Sequence, residues 1–170
     1  FSSLLRNNIS EEKETTIENE LEFCRKYSYL CMVRYPKSIA YGFKIETGLE
    51  EMVIPKFTLQ PLVENYFVHG VDHKRKDNVI SIKVRHVGET VEIRVQDNGR
   101  GMEPSQLQRI QQILSHRGPR EEVEESKGRQ SIGIVNVHER FRLYFGDRYH
   151  IQITSEKGKG VLYTITIEDT

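Results

Sequence analysis

The chain has 170 residues, 36% of them hydrophobic, which is enough for one packed core and too few for two domains of ordinary size. Its 25 basic and 25 acidic residues cancel, which excludes a global electrostatic pull toward nucleic acid or an anionic membrane surface and leaves any phosphate binding to local groups. No apolar run approaches the roughly 18–20 residues that cross a bilayer and no signal-peptide pattern opens the chain, so a soluble domain is expected.

In chain order, Ser10 followed by Glu11, Glu12 and Glu14 predicts the start of a helix, because acidic residues suit its positive end. Ile17, Leu21, Cys24, Ser28, Cys31 and Tyr35 recur at intervals of four and three, with Phe23, Tyr27 and Leu30 widening the stripe, and the helix is expected to stop before Pro36. Such a stripe fits a helix packed on its own domain and the remnant of a dimerisation or linker helix equally well. Opening on Phe1 within a helical segment, the sequence reads as a fragment of a longer protein, whose membrane segment would lie upstream. Cys24 and Cys31 are seven apart on this helix, about 10.5 Å along its axis, beyond disulfide reach, so both are expected to be reduced core residues. No Cys-x-x-Cys pair and no ligand spacing among the histidines supports a zinc-type site.

Short strands are expected near Gly42–Ile45 and Met52–Ile54. A second helix follows, capped by Thr58, with Leu59, Leu62, Val63, Tyr66 and Phe67 on its apolar face and Pro61 tolerated in its first turn. Ile80, Ile82 and Val84 alternate with polar residues, as do Val91, Ile93 and Val95, and Gly88 between them predicts a hairpin with one apolar face. A helix over Met102–Leu114 starts at Pro104. Ser115–Gln130 has no apolar period and reads as a mobile lid-like loop. A third helix runs from Ile132 to Phe145 and stops at Gly146. Two closing strands contain Ile151 and Ile153, then Tyr163, Ile165 and Ile167, around a Gly158-Lys159-Gly160 turn.

Three segments carry chemistry. Gln60–Gly70 is an amphipathic helix with Asn65 and His69 one turn apart on its polar face. Asp97-Asn98-Gly99-Arg100-Gly101-Met102 follows a strand directly; taken alone it is a turn signal, yet its two glycines would also let a planar ring approach the backbone while Asp97 accepts a hydrogen bond from an exocyclic amine. Ser131-Ile132-Gly133-Ile134 joins a polar loop to a helix N-terminus, where free N–H groups suit a phosphate.

In this order and spacing these residues resemble the asparagine box and the two glycine boxes of the Bergerat-fold ATPase and kinase superfamily. Within it they are most similar to LytS/YesM-like sensor histidine kinases, through Leu59-Gln60-Pro61-Leu62-Val63-Glu64-Asn65 with His69-Gly70, and through Gly133-Ile134-Val135-Asn136-Val137 with Arg140-Phe141. The resemblance implies an α/β (α+β) two-layer sandwich with a mixed, mainly antiparallel sheet of about five strands and helices on one face. It implies residues 1–36 as a helical extension from a dimerisation region and 37–170 as the ATP-binding catalytic domain. It further implies that Asn65 ligates Mg²⁺, Asp97 accepts the adenine amine, Gly99 and Gly101 make room for the ring with Met102 beside them, and Ser131, Ile132, Gly133 and Ile134 open the phosphate-facing helix. Glu64, as a catalytic residue, and His69 would line the same cleft. Implied partners are ATP, a response regulator and a second copy in the full-length protein, with no nucleic acid. The implied location is the cytoplasmic side of a membrane-anchored sensor.

Two positions depart from the family pattern: Ser131 stands where glycine is usual, and Val161 follows Gly158-Lys159-Gly160 where threonine is common. They leave a degenerate, non-catalytic nucleotide- or partner-binding module open. Superfamily ATPases place a glutamate one turn before the metal-binding asparagine as general base; here that position is Pro61. Hydrolysis is therefore disfavoured, with Glu64 nearby, whereas a neutral imidazole acceptor needs little base assistance. None of His69, His73, His86, His116, His138 and His150 stands in the Pro-His-Phe setting expected of the phosphoacceptor, so binding of ATP without self-phosphorylation is expected.

Overall fold

Period-two alternation sets the sheet and period-3.6 stripes set its cover. The computed structural model describes residues 13–34, 39–115 and 129–169, with only the backbone of 129–132. Its elements are β1 (Glu14–Thr16), α1 (Ile17–Arg34), β2 (Ile39–Ile45), β3 (Val53–Pro55), α2 (Gln60–Asn65) running into a π-helical turn (Tyr66–Gly70), β4 (Asn78–Val87), β5 (Thr90–Asp97), α3 (Pro104–Ser115), α4 (Arg129–Phe145), β6 (Tyr149–Glu156) and β7 (Gly160–Glu168). Five strands form one sheet in the order β2-β4-β5-β7-β6. Only the β2–β4 pair is parallel; the others are antiparallel.

Register keeps the apolar residues on one face. Ile82 lies opposite Val95, Val95 opposite Tyr163, and Ile165 opposite both Ile93 and Ile151. These residues join Ile17, Leu21 and Cys24 of α1, Leu62 and Val63 of α2, Ile110 of α3, and Ile134, Val137 and Phe141 of α4 in a single core. The opposite face carries Lys83 across from Arg94, and Arg85 ion-paired to Glu92 at 2.9 Å. The sandwich with helices on one face is thus the architecture observed. Phe141 is fully buried, with its ring stacked on that of Tyr149 at 5.2 Å. Phe141→Ala is expected to cost about 3–5 kcal/mol of stability in a denaturant melt.

The N-terminal segment differs from expectation. Glu14 lies in a strand that pairs antiparallel with β3, and the helix begins only at Ile17, where the Thr16 hydroxyl accepts the Asn19 N–H at 3.2 Å as its cap. Ser10, Glu11 and Glu12 lie outside the described residues, as do Tyr35 and Pro36. Of the predicted stripe, Cys24 and Ser28 are buried and Cys31 is half-buried, while Phe23 and Leu30 are 53% and 67% exposed. Both thiols are free. Helix α1 shares the core, and β1 pairs with β3.

Thr58 does not cap α2. Its hydroxyl donates to the Pro55 carbonyl at 2.9 Å, and the buried Glu20 carboxylate accepts the N–H groups of Phe57, Thr58 and Leu59 instead. Helix α4 begins at Arg129 rather than Ile132, since none of Arg129, Gln130, Ser131 and Ile132 breaks a helix and hydrogen bonding propagates through them. The predicted lid, apart from its ends, lies outside the described residues.

Candidate functional site

Strand β5 ends on Asp97, whose side chain points to the helix-covered face because it continues the buried parity of Val91, Ile93 and Val95. The carboxylate is 8% exposed, and its Oδ1 accepts the Gly99 N–H at 2.8 Å. Burial pushes its pKa up to about 6, against the N–H groups of Gly99 and Val161, which favour the charged form. The contribution of Val161 comes from its backbone, so the absence of threonine there leaves this contact intact.

The loop after Asp97 is held by backbone on every side. Arg100 donates its N–H to the Gly70 carbonyl at 2.7 Å, and Gly158 donates to Arg100 at 2.6 Å. The Arg75 guanidinium reaches the Asn98 carbonyl at 2.6 Å, and the Asn98 amide spans Val79 and Asp77. A Cβ on Gly99 would overlap the Gly70 carbonyl, and one on Gly101, at φ +67°, would overlap that of Glu156. Both glycines are therefore required by the packing of the protein itself, before any ligand is considered. Met102 donates its N–H to the Ser155 hydroxyl at 2.9 Å, with its side chain in the core.

Across the cleft, α2 presents Asn65. The Asn65 side chain lies beside the Tyr163 hydroxyl, and its Nδ2 is buried without a hydrogen-bond partner among the described residues. Burial pushes the Tyr163 phenol up to about 12, with the Asn65 side chain acting in the opposite direction. A Cβ built on Gly133 would come 3.5 Å from Asn65 Oδ1, so α4 approaches α2 closely at this glycine. Tyr163 and Tyr66 both feel the charge of Asp97.

Gly133 approaches Asn65 and Gly99 bonds to Asp97, while Tyr163 lies beside Asn65 within electrostatic range of Asp97. Met102 and Ile134, 3% and 1% exposed, belong to the core. Gly133 lies within α4 instead of opening it, and Ser131 is inside the helix rather than its cap; the side chains of Ser131 and Ile132 lie outside the described residues. Glu64 accepts a hydrogen bond from Gln60 at 2.9 Å and raises the pKa of Cys24 and Tyr27, which puts it on the α1 side of its helix. His69 is exposed. It lies in the π-helical turn, in which Val71 donates to the Tyr66 carbonyl.

Tyr66, Tyr163 and Gly160 are site residues that sequence reasoning missed. Gly160, at φ +99°, backs directly onto the Asp97 carbonyl, and its only sequence signal is the glycine-rich turn. Tyr163 reads as an ordinary alternating strand residue.

Residues 56–170 match the family described as histidine kinase-, DNA gyrase B-, and HSP90-like ATPase. The sensor histidine kinase YesM of Bacillus subtilis is 33% identical over 165 residues, 96% of this chain and 26% of that protein. The sensor protein LytS of Streptococcus mutans is 31% identical over 156 residues, 91% of this chain and 25% of that protein. The chain thus spans about a quarter of the length of these curated relatives. In fold it is similar to a nucleotide-free catalytic domain of the histidine kinase ThkA, with TM-score 0.59 at 11% identity, covering 92% of this chain and 96% of that one. It is also similar to the histidine kinase domain of a blue-light activated kinase from Erythrobacter litoralis, with TM-score 0.53 at 13% identity over 86% of this chain and 59% of that one. With its buried Asp97, its glycine-bounded loop and its opposed Asn65 and Gly133, this chain belongs to the histidine kinase-, DNA gyrase B- and HSP90-like ATPase family.

Proposed function

We propose that the chain is the ATP-binding catalytic domain of a sensor histidine kinase, which passes the γ-phosphoryl group of ATP to a histidine outside these 170 residues. The observation that supports this reading is the pairing of Gly133 with Asn65 and of Gly99 with a buried Asp97, with Pro61 where an ATPase would need its general base. Asp97 retains acceptor capacity beyond its backbone partners and would take the adenine amine. Gly99 and Gly101 would leave the ring room, and Gly133 would leave room for the phosphates beside Asn65.

A metal fits this donor set. The Asn65 side chain lies between Tyr163 and Gly133 with its Nδ2 short of a geometric partner, and its oxygen and nitrogen exchange places by a simple flip. Among the described residues no three His, Cys, Asp or Glu converge, so Mg²⁺ would be held by Asn65, waters and the phosphates themselves. When bound, it neutralises phosphate charge. In the transfer the acceptor imidazole nitrogen forms a bond to the γ-phosphorus, the bond to the bridging β-oxygen breaks, and ADP leaves. As in a sensor kinase, the phosphoryl group would pass on to a response regulator, with the domain on the cytoplasmic side of a membrane-anchored dimer. Among the described residues no helix is long and apolar enough to cross a membrane.

The test is label from γ-labelled ATP. Residues 1–170 alone are expected to bind ATP without acquiring stoichiometric label, while a longer chain carrying the upstream region acquires acid-labile, base-stable phosphohistidine. Asn65→Ala is expected to weaken Mg-ATP binding at least about tenfold and to abolish that label. Stoichiometric label within residues 1–170, or rapid phosphate release from them, would refute the transfer to an outside histidine.

A further inference from the structure

Helix α2 carries Asn65 but has no side-chain cap of its own; Leu59 stands at its N-cap. The segment that leads into it is held from another element. Glu20 of α1, 5% exposed, accepts the N–H groups of Phe57 at 2.7 Å, Thr58 at 3.3 Å and Leu59 at 3.2 Å. Phe57 is the only non-glycine residue with positive φ among those described, at +56°, a conformation that persists only where its surroundings impose it.

The same short segment is gripped from α4. Arg140 donates to the Lys56 carbonyl at 2.8 Å, with its guanidinium 6.0 Å from the centre of the Phe57 ring, which Phe23 of α1 meets edge-on at 6.5 Å. Helix α4 is also the element that sets Gly133 against Asn65. The lead-in to α2 is therefore a junction between the N-terminal helix and both walls of the phosphate end of the cleft. The adenine end stands on β5 and Gly160, with Gly70 at the far end of the π-helical turn from this junction.

We propose that Glu20 is a positioning residue for the phosphate end: by fixing the entry of α2 it sets Asn65 against Gly133, and it ties α1 to the Mg-ATP site. This rests on the reading of the cleft as an ATP site. A side chain thirty-seven to thirty-nine positions upstream anchors the lead-in to α2, so a displacement of α1 is carried to Asn65 through a charge-assisted contact and not through the sheet.

The test measures Mg-ATP and adenosine binding side by side in the wild type, Glu20→Ala, Glu20→Gln and a control, Val91→Ala, at the far end of β5 from Asp97. Glu20→Ala is expected to weaken Mg-ATP about tenfold while adenosine changes less than about twofold, and Glu20→Gln, which keeps an acceptor oxygen, to recover part of the loss. Val91→Ala lowers stability without separating the two ligands. If Glu20→Ala fails to fold, Glu20→Gln carries the comparison, with the amide resonances of Phe57, Thr58, Leu59 and Asn65 expected to shift together. Equal loss of both ligands, or unchanged Mg-ATP affinity in a folded variant, overturns the positioning role. Failure of the wild type to bind either ligand overturns the ATP-site reading itself.

Discussion

Asp97→Asn is expected to stabilise the nucleotide-free domain while removing adenine recognition. Burial raises the carboxyl from an ordinary value of 3.8 to about 6 in the folded state. A raised folded-state pKa means that the contribution of this group to stability is fully present below its unfolded pKa and is lost as pH rises through about 6. At neutral pH the folded domain therefore carries a buried charge that asparagine removes, with a gain of up to about 3 kcal/mol. Asparagine keeps an oxygen for the Gly99 N–H but replaces the carboxylate that would accept the adenine amine. Urea melts at pH 5 and pH 8 check the first half: the advantage of the variant is expected to grow with pH. ATP titration checks the second, with wild-type affinity expected to fall as pH drops below about 6 and at least a tenfold loss in the variant at pH 8. A variant less stable than wild type at pH 8, with ATP affinity intact, would show that Asp97 is an ordinary turn residue.

The second large effect concerns Gly160. Its φ of +99° disfavours any L side chain, and a Cβ there would overlap the carbonyl of Asp97, a backbone group that cannot yield without moving the end of β5. Gly160→Ala is therefore expected to cost at least about 3 kcal/mol and to lower ATP affinity by displacing Asp97. Gly158 has φ +82° but open space around its Cβ position, so Gly158→Ala carries only the conformational term of about 1–2 kcal/mol. Gly42 lies in a strand with no such φ and nothing within 4 Å, and its alanine variant is expected to fall within about 0.5 kcal/mol of wild type. Equilibrium unfolding of the three variants gives the order directly. Equal costs at Gly160 and Gly158 would remove the case for a built contact behind Asp97.

What was legible in the sequence is what local chemistry and period decide. The alternation of Ile80–Val84 and Val91–Val95 gave the hairpin and its inner face, and the register carries those residues into the core as expected. Asp97 and Gly99 are legible as turn chemistry, though not the burial that shifts the carboxyl, because Gly160 and the Val161 backbone reach Asp97 from another strand. Strand β1 was illegible: three residues, Glu14-Thr15-Thr16, carry no period, and only pairing with Val53–Pro55 makes them a strand. Thr58 had the right chemistry for a cap, yet Glu20 holds that position from across the fold. The π-helical turn that carries His69 has no signal in the sequence, since its residues continue the apolar period of α2.

The central claim is that this cleft binds Mg-ATP through Asp97 and Asn65. Calorimetric titration of ATP into residues 1–170, with and without Mg²⁺, and into Asp97→Ala in parallel, tests it most directly. Saturable one-to-one binding, strengthened by Mg²⁺ and lost in Asp97→Ala, is the predicted result. Absence of binding to the wild-type chain, or equal binding by Asp97→Ala, would contradict the account.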